Sequence, residues 1–236
     1  MMENLLKLHN IHTHIGQFHI LQGIEFEAKE GEVSVLLGRN GAGKTTTLKT
    51  IMGLTPASNG SVTYLEREIT KKPTYDIANL GIGYVPEDQG IFGQLTVEEN
   101  LKVAIRKETP EVMEKQEYVL TLFPDLKKFW KKAGGNLSGG QKQMLAMARA
   151  FVNDCKLILI DEPSKGLAPI VIEKVMEAIL EMKKQTTIVL VEQNFIMASR
   201  IGDTYTLIDD GRTVHAGAMS DLIQNDELKQ KYLGIG

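Results

Sequence analysis

Gly38-Arg39-Asn40-Gly41-Ala42-Gly43-Lys44-Thr45-Thr46 matches the phosphate-loop pattern of a glycine, four residues, then Gly-Lys-Ser/Thr. Val33-Ser34-Val35-Leu36-Leu37 ahead of it reads as a short buried strand, and residues 47–52 behind it contain no helix breaker. That is the strand–turn–helix setting the pattern requires. Glycines let successive backbone N–H groups converge on an anion, and the helix N-terminus adds partial positive charge. In this geometry Lys44 reaches the outer phosphates of a nucleotide, and the Thr45 hydroxyl is placed to ligate Mg²⁺.

Working outward, residues 3–28 show partial period-two alternation through Leu6, Leu8, Ile20, Ile24, Phe26 and Ala28. With turn residues at Gly16 and at Gln22-Gly23, they are expected to form antiparallel strands. His9, His12, His14 and His19 fall in the same stretch, where alternate positions allow a shared, metal-ligating face. No cysteine or paired carboxylate supports that, so solvated strand histidines are the preferred reading. Further strands are expected over 61–65 and 82–85. Thr96-Val97-Glu98-Glu99 is a capping box ahead of helices over 100–107 and 111–122. The basic run Lys127-Lys128-Phe129-Trp130-Lys131-Lys132 reads as a solvated helix end rather than a phosphate patch. Residues 92–155 are therefore read as a helical lobe inserted into an α/β core of residues 1–91 and 156–236, within one domain spanning 1–236.

Leu157-Ile158-Leu159-Ile160 is the unbroken apolar run of a central parallel strand, and Asp161-Glu162 closes it. Ligands of parallel sheets sit at such strand ends. Asp161 is thus the candidate to hold Mg²⁺ through water, and Glu162 the candidate to orient or deprotonate an attacking water. A helix over 169–184 carries the apolar stripe Val171, Val175, Ile179 and Met182. A strand over 187–191, a hairpin at Asp210-Gly211 and short helices from residue 220 complete the chain. Within the lobe, Leu137-Ser138-Gly139-Gly140-Gln141 precedes a helix over 142–151. Ser138 is placed as its N-cap, and the glycines leave an exposed helix start, a second anion site.

With phosphate loop, LSGGQ and aspartate strand in this order, the chain resembles the ATPase subunit of ABC transporters over nearly its full length. The resemblance implies a P-loop NTPase (RecA-like) α/β core with an antiparallel β subdomain and an inserted α-helical lobe. It implies ATP hydrolysis with Mg²⁺, Gly38 to Thr46 cradling the phosphates, and a head-to-tail homo- or heterodimer. In that dimer Ser138, Gly139, Gly140 and Gln141 complete the ATP site of the facing ATPase subunit. Ile15 falls where an aromatic ring usually meets adenine. Glu87 stands where a glutamine is expected at the lobe junction, and it still offers Mg²⁺ an oxygen. Gln193 replaces the usual histidine as an amide donor to phosphate. Lys165, unusual in its loop, is expected to face the dimer interface.

A closer likeness, to the LivF-type ATPases of branched-chain amino acid importers, rests on four further stretches. They are Gly81-Ile82-Gly83-Tyr84-Val85-Pro86-Glu87, Leu95-Thr96-Val97-Glu98-Glu99-Asn100-Leu101, Asp161-Glu162-Pro163-Ser164-Lys165-Gly166-Leu167-Ala168-Pro169 and Val191-Glu192-Gln193-Asn194. This implies integral membrane permease subunits as partners, a solute-binding protein indirectly, and a place on the cytoplasmic face of the membrane.

Composition agrees. An apolar share of 42% with 24% charged residues suits a globular core, and a net charge of −3 argues against broad nucleic-acid binding. Cys155 stands alone, which excludes a disulfide framework and fits a reducing cytosol. No apolar run approaches 18 residues and no N-terminal signal is evident, so any membrane role is expected to run through a partner. The second expectation is a soluble ABC ATPase of the iron–sulfur assembly scaffold. Close motif spacing leaves no room for the long coiled coil of the DNA-repair type, and a single cassette argues against the ribosome-associated type.

Overall fold

The computed structural model describes residues 4–235. Strands β1 (Asn4–Ile15) and β2 (Phe18–Lys29) form a long antiparallel hairpin that turns at Gly16, whose φ is +58°. The second expected turn, at Gln22-Gly23, does not form. Gly23 instead sits inside β2 as a bulge: Ile11 pairs with Ile24 while His12 pairs with Gln22, which leaves Gly23 over at φ +109°.

Strand β3 (Val33–Leu37) runs through the phosphate loop into helix α1 (Lys44–Ile51). Strands β4 (Asn59–Tyr64) and β5 (Arg67–Glu68) then return to the first sheet, whose order is β2-β1-β4-β5. Helix α2 (Thr74–Asn79) leads into β6 (Ile82–Val85), the edge of the second sheet. The connection onward is helical, through α3 (Val97–Ala104), α4 (Pro110–Leu122), α5 (Pro124–Lys128) and α6 (Gly139–Phe151). It delivers the chain to β7 (Leu157–Asp161), parallel to β6 with Ile82 opposite Leu157.

Helix α7 (Pro169–Lys183), strand β8 (Thr187–Glu192), helix α8 (Phe195–Ile201) and strands β9 (Thr204–Asp209) and β10 (Arg212–Ala218) follow. Helices α9 (Met219–Ile223) and α10 (Asp226–Leu228) and a π-turn over Lys229–Leu233 close the described chain. The second sheet has the order β10-β9-β3-β8-β7-β6 and is parallel apart from β10. Asp210 and Gly211 both take positive φ, 44° and 71°, the conformation that a two-residue β9–β10 hairpin demands.

Both faces of this sheet are covered, which is why its strands read as continuous apolar runs. Val33, Val35, Leu37, Ile158, Ile160, Ile188 and Leu190 pack against the helices. Leu36, Leu157, Leu159, Val189 and Val191 face the opposite layer, with α1 and the first sheet. Thr96 caps α3 with the expected reciprocal bonds to Glu99. That helix starts at Val97 and ends at Ala104, earlier than the 100–107 expected. Ile105 turns extended, and the Arg106 N–H bonds Asn153 Oδ1 instead of continuing the helix.

Candidate functional site

Strand β3 carries the phosphate loop to the C-terminal edge of the parallel strands. A Cβ on Gly38 would lie 2.2 Å from the Ile208 carbonyl oxygen, so only glycine lets the loop pass that close to β9. Gly43 caps α1 in the left-handed region at φ +109°, and a Cβ there would meet Leu21 Cδ2 at 2.8 Å. Lys44 is buried. Its Nζ donates to the carbonyls of Gly38 at 2.9 Å and Arg39 at 3.0 Å and lies 3.8 Å from Glu162 Oε1. Burial pulls its ammonium below the usual lysine range, while the Glu162 and Asp161 carboxylates push it back up.

Strands β7 and β8 bring the polar groups opposite. The Thr45 hydroxyl donates to Asp161 Oδ1 at 3.0 Å, and Tyr84 Oη donates to Oδ2 at 3.4 Å. Desolvation pushes the Asp161 carboxyl up to about 6, the Thr45 bond opposes it, and Glu162 and Glu87 push it further. Thr45, Asp161 and Glu87 offer only hard oxygen donors, a set that fits Mg²⁺. Glu162 takes φ +45°, an uncommon conformation for a side-chain-bearing residue, and its N–H is fixed to the Val191 carbonyl at 2.9 Å. Gln193 Nε2 donates to Glu162 Oε1 at 2.7 Å and to Asn40 Oδ1. Lys165, in the loop after Glu162, reaches these groups, ion-paired with Glu87 and 3.8 Å from Glu162 Oε2.

A cavity of about 330 Å³ lies over the phosphate loop, bounded by Lys44, Thr45, Glu87 and Glu162 and, at its apolar end, by Ile15 and Ile20. That size suits a small-molecule ligand. Ser138 to Gln141 lie elsewhere, and among the described residues none of the four lines this cavity. Ser138 caps α6 in a reciprocal box, with Oγ accepting from the Gln141 N–H at 3.4 Å and Gln141 Oε1 from the Ser138 N–H at 3.0 Å. Gly140 lets α6 approach α7, since a Cβ would lie 2.5 Å from Val171 Cγ1. His14 and His19 stack with ring centres 4.2 Å apart, and His12 Nδ1 lies 3.1 Å from His19 Nε2. Among the described residues no group of three His, Cys, Asp or Glu is arranged to hold a metal ion.

Sequence reasoning missed two groups. Tyr84, read only as part of an apolar strand, reaches Asp161. Glu192, which is buried, accepts from the Ser164 N–H at 3.0 Å, the Ser164 hydroxyl at 2.9 Å, the Gln193 N–H at 3.1 Å and the Asn194 N–H at 3.0 Å. It thereby ties the loop after β7 to the loop after β8. Asn194, which caps α8 through Oδ1, was the available sign of that helix.

The ABC transporter family model matches residues 21–165, from β2 through the phosphate loop, the LSGGQ cap and the carboxylate strand. The chain belongs to the ABC transporter family. It is 37% identical to the high-affinity branched-chain amino acid transport ATP-binding protein BraG of Pseudomonas aeruginosa, over 98% of this chain and 100% of that protein. It is 38% identical to the probable branched-chain amino acid transport ATP-binding protein LivF of Archaeoglobus fulgidus, over 93% of this chain and 94% of the relative. Among solved structures, a dimeric ATP-binding cassette in a post-hydrolysis state bound to ADP and phosphate superposes with a TM-score of 0.79. That cassette is 25% identical, over 91% of this chain and 98% of the other. As a member of this family the chain is an ATPase that binds adenine nucleotides. The two curated relatives are named for transport rather than for iron–sulfur assembly, and the scaffold expectation is set aside. Among the described residues no helix is long and apolar enough to cross a membrane.

Proposed function

We propose that this chain is the ATP-hydrolysing subunit of a branched-chain amino acid importer, working at the cytoplasmic face of the membrane as half of an ATPase dimer. The names of its relatives support the transported class. The observation that carries the ATPase chemistry is the meeting of Lys44, Thr45, Asp161, Glu162 and Gln193 at one end of β3, β7 and β8.

Gly38 to Thr46 cradle the phosphates by backbone N–H groups, and Lys44 exchanges its loop carbonyls for the outer phosphates. Thr45, Asp161 and Glu87 hold Mg²⁺, which when bound neutralises charge building on the phosphoryl oxygens. Glu162 accepts the proton of the attacking water, and Gln193 orients that carboxylate through the 2.7 Å bond. Ile15 and Ile20 pack against the base. Residues 92–155 act as a lobe that docks a permease segment beside Glu87. Ser138, Gly139, Gly140 and Gln141 stand apart from their own phosphate loop and complete the site of the facing subunit, which gives a composite site.

The test is size-exclusion chromatography of Glu162→Gln with and without Mg-ATP. The amide keeps the shape and the bond from Gln193 but cannot take a proton, so turnover stops. ATP buried between subunits then favours association by linkage. An ATP-induced dimer that Ser138→Arg abolishes is the expected result, with the chain alone or together with the second ATPase subunit of its transporter. Full hydrolysis by Glu162→Gln, or a monomer under both conditions, overturns the mechanism.

A further inference from the structure

Two cavities adjoin at the site. One, of about 330 Å³, covers the phosphate loop; the other, of about 630 Å³, extends from Thr45 and Asp161 toward Lys49. Thr45, Glu87 and Lys165 line both, so the Glu87–Lys165 ion pair stands between them. Glu87 and Glu162 line the phosphate-loop cavity and Glu87 and Asp161 the adjoining one, so carboxylates border both sides of a place meant for a polyanion. Like charges a few ångströms apart repel strongly where water is partly excluded. Lys44 and Lys165 are the cations lining the phosphate-loop cavity, and Lys44 is already bound to the Gly38 and Arg39 carbonyls. The two ammonium groups flank Glu162, each 3.8 Å from one of its carboxylate oxygens. Lys165 also closes on Glu87.

We propose that Lys165 is a positioning residue of the nucleotide site, neutralising Glu87 and steadying Glu162 so that the triphosphate of ATP can sit among these carboxylates. The proposal rests on the ATPase reading above. Exposed ion pairs contribute little to stability, and Lys165 and Glu87 have side chains 59% and 40% exposed. Its effect therefore falls on ligand binding rather than on folding.

Lys165→Met keeps the aliphatic stem and removes the charge. Titration of the full chain with a fluorescent ATP analogue, with and without magnesium, reads the consequence. Affinity is expected to fall about tenfold, the scale of one partly screened unit charge. The fall is larger without magnesium, because no divalent cation then offsets Glu87. Lys165→Arg binds as wild type. Without magnesium, Glu87→Gln combined with Lys165→Met recovers affinity to within about threefold of wild type. A merely structural role would lower the melting temperature and would not be rescued by that second change. Unchanged affinity in Lys165→Met, or a double variant as weak as the single one without magnesium, overturns the proposal. Lys44→Ala in the same titration separates the two levels. If it loses binding while Lys165→Met does not, this inference alone fails; if it too binds as wild type, the ATP-site reading fails with it.

Discussion

Asp161→Asn tests the burial of the site's carboxylate through stability alone. The Asp161 side chain is 0% exposed, and desolvation carries its carboxyl from an ordinary 3.8 up to about 6. A carboxyl that holds its proton more tightly in the folded chain contributes stability that is fully present below about pH 4. That contribution is lost as pH rises through about 6. At about 1.4 kcal/mol per pKa unit, ionised Asp161 costs about 3 kcal/mol above pH 7. Asparagine keeps the shape: its oxygen accepts from Thr45 as Oδ1 does now, and its amide faces Tyr84 Oη. The variant should therefore be more stable than wild type by about 3 kcal/mol at pH 7.5. For a chain of this length that is a melting-temperature rise on the order of 6–12 °C. The difference should shrink toward zero near pH 4. Scanning calorimetry of both proteins in magnesium-free, nucleotide-free buffer across this range measures it. The difference between the two curves removes Glu98 and Glu99, whose carboxyls sit below the usual range and whose pH dependence runs the opposite way. A variant with no stability gain at pH 7.5, or a gain that does not shrink on acidification, refutes the reasoning.

The fold was legible wherever one local rule acts alone. Buried strands β3, β7 and β8 showed as apolar runs, the Ser138 and Thr96 caps as Ser/Thr followed by Gln or Glu, and the last hairpin as Asp210-Gly211. Gly23 misled because a bulge and a turn ask for the same glycine, and the pairing of β1 decides between them. The end of α3 depended on Asn153, far along the chain. In the site, motif spacing reached Lys44, Thr45, Asp161 and Glu162. It could not reach Tyr84 or Glu192, whose roles arise only where neighbouring strands of the parallel sheet meet. Lys165 was noticed in sequence but its partners were not, because side-chain direction in a loop is set by tertiary charge, here Glu87 and Glu162.

Gln193→His should leave hydrolysis within about tenfold of wild type, because the imidazole keeps an N–H for the Glu162 carboxylate and puts only part of a bond of about 1.5–3 kcal/mol at risk. A steady-state ATPase assay checks it, and a larger change in either direction shows that the residue does more than orient Glu162. Glu192→Gln should be more severe. The native carboxylate accepts four bonds from Ser164, Gln193 and Asn194. An amide keeps one accepting oxygen and turns an NH₂ toward donors, leaving at least one of them buried and unpaired. With charged bonds at about 1.5–3 kcal/mol each, urea denaturation should show a loss of about 3 kcal/mol. Because Gln193 then loses its backbone anchor, kcat should fall while KM for ATP, set by Lys44 and the phosphate loop, holds within about twofold. Ser164→Ala, which removes only the hydroxyl bond, should cost about 1 kcal/mol with little change in kcat. If Glu192→Gln matches wild type in stability and turnover, the carboxylate does not join the two loops, and Gln193 is held to Glu162 by its side-chain bond alone.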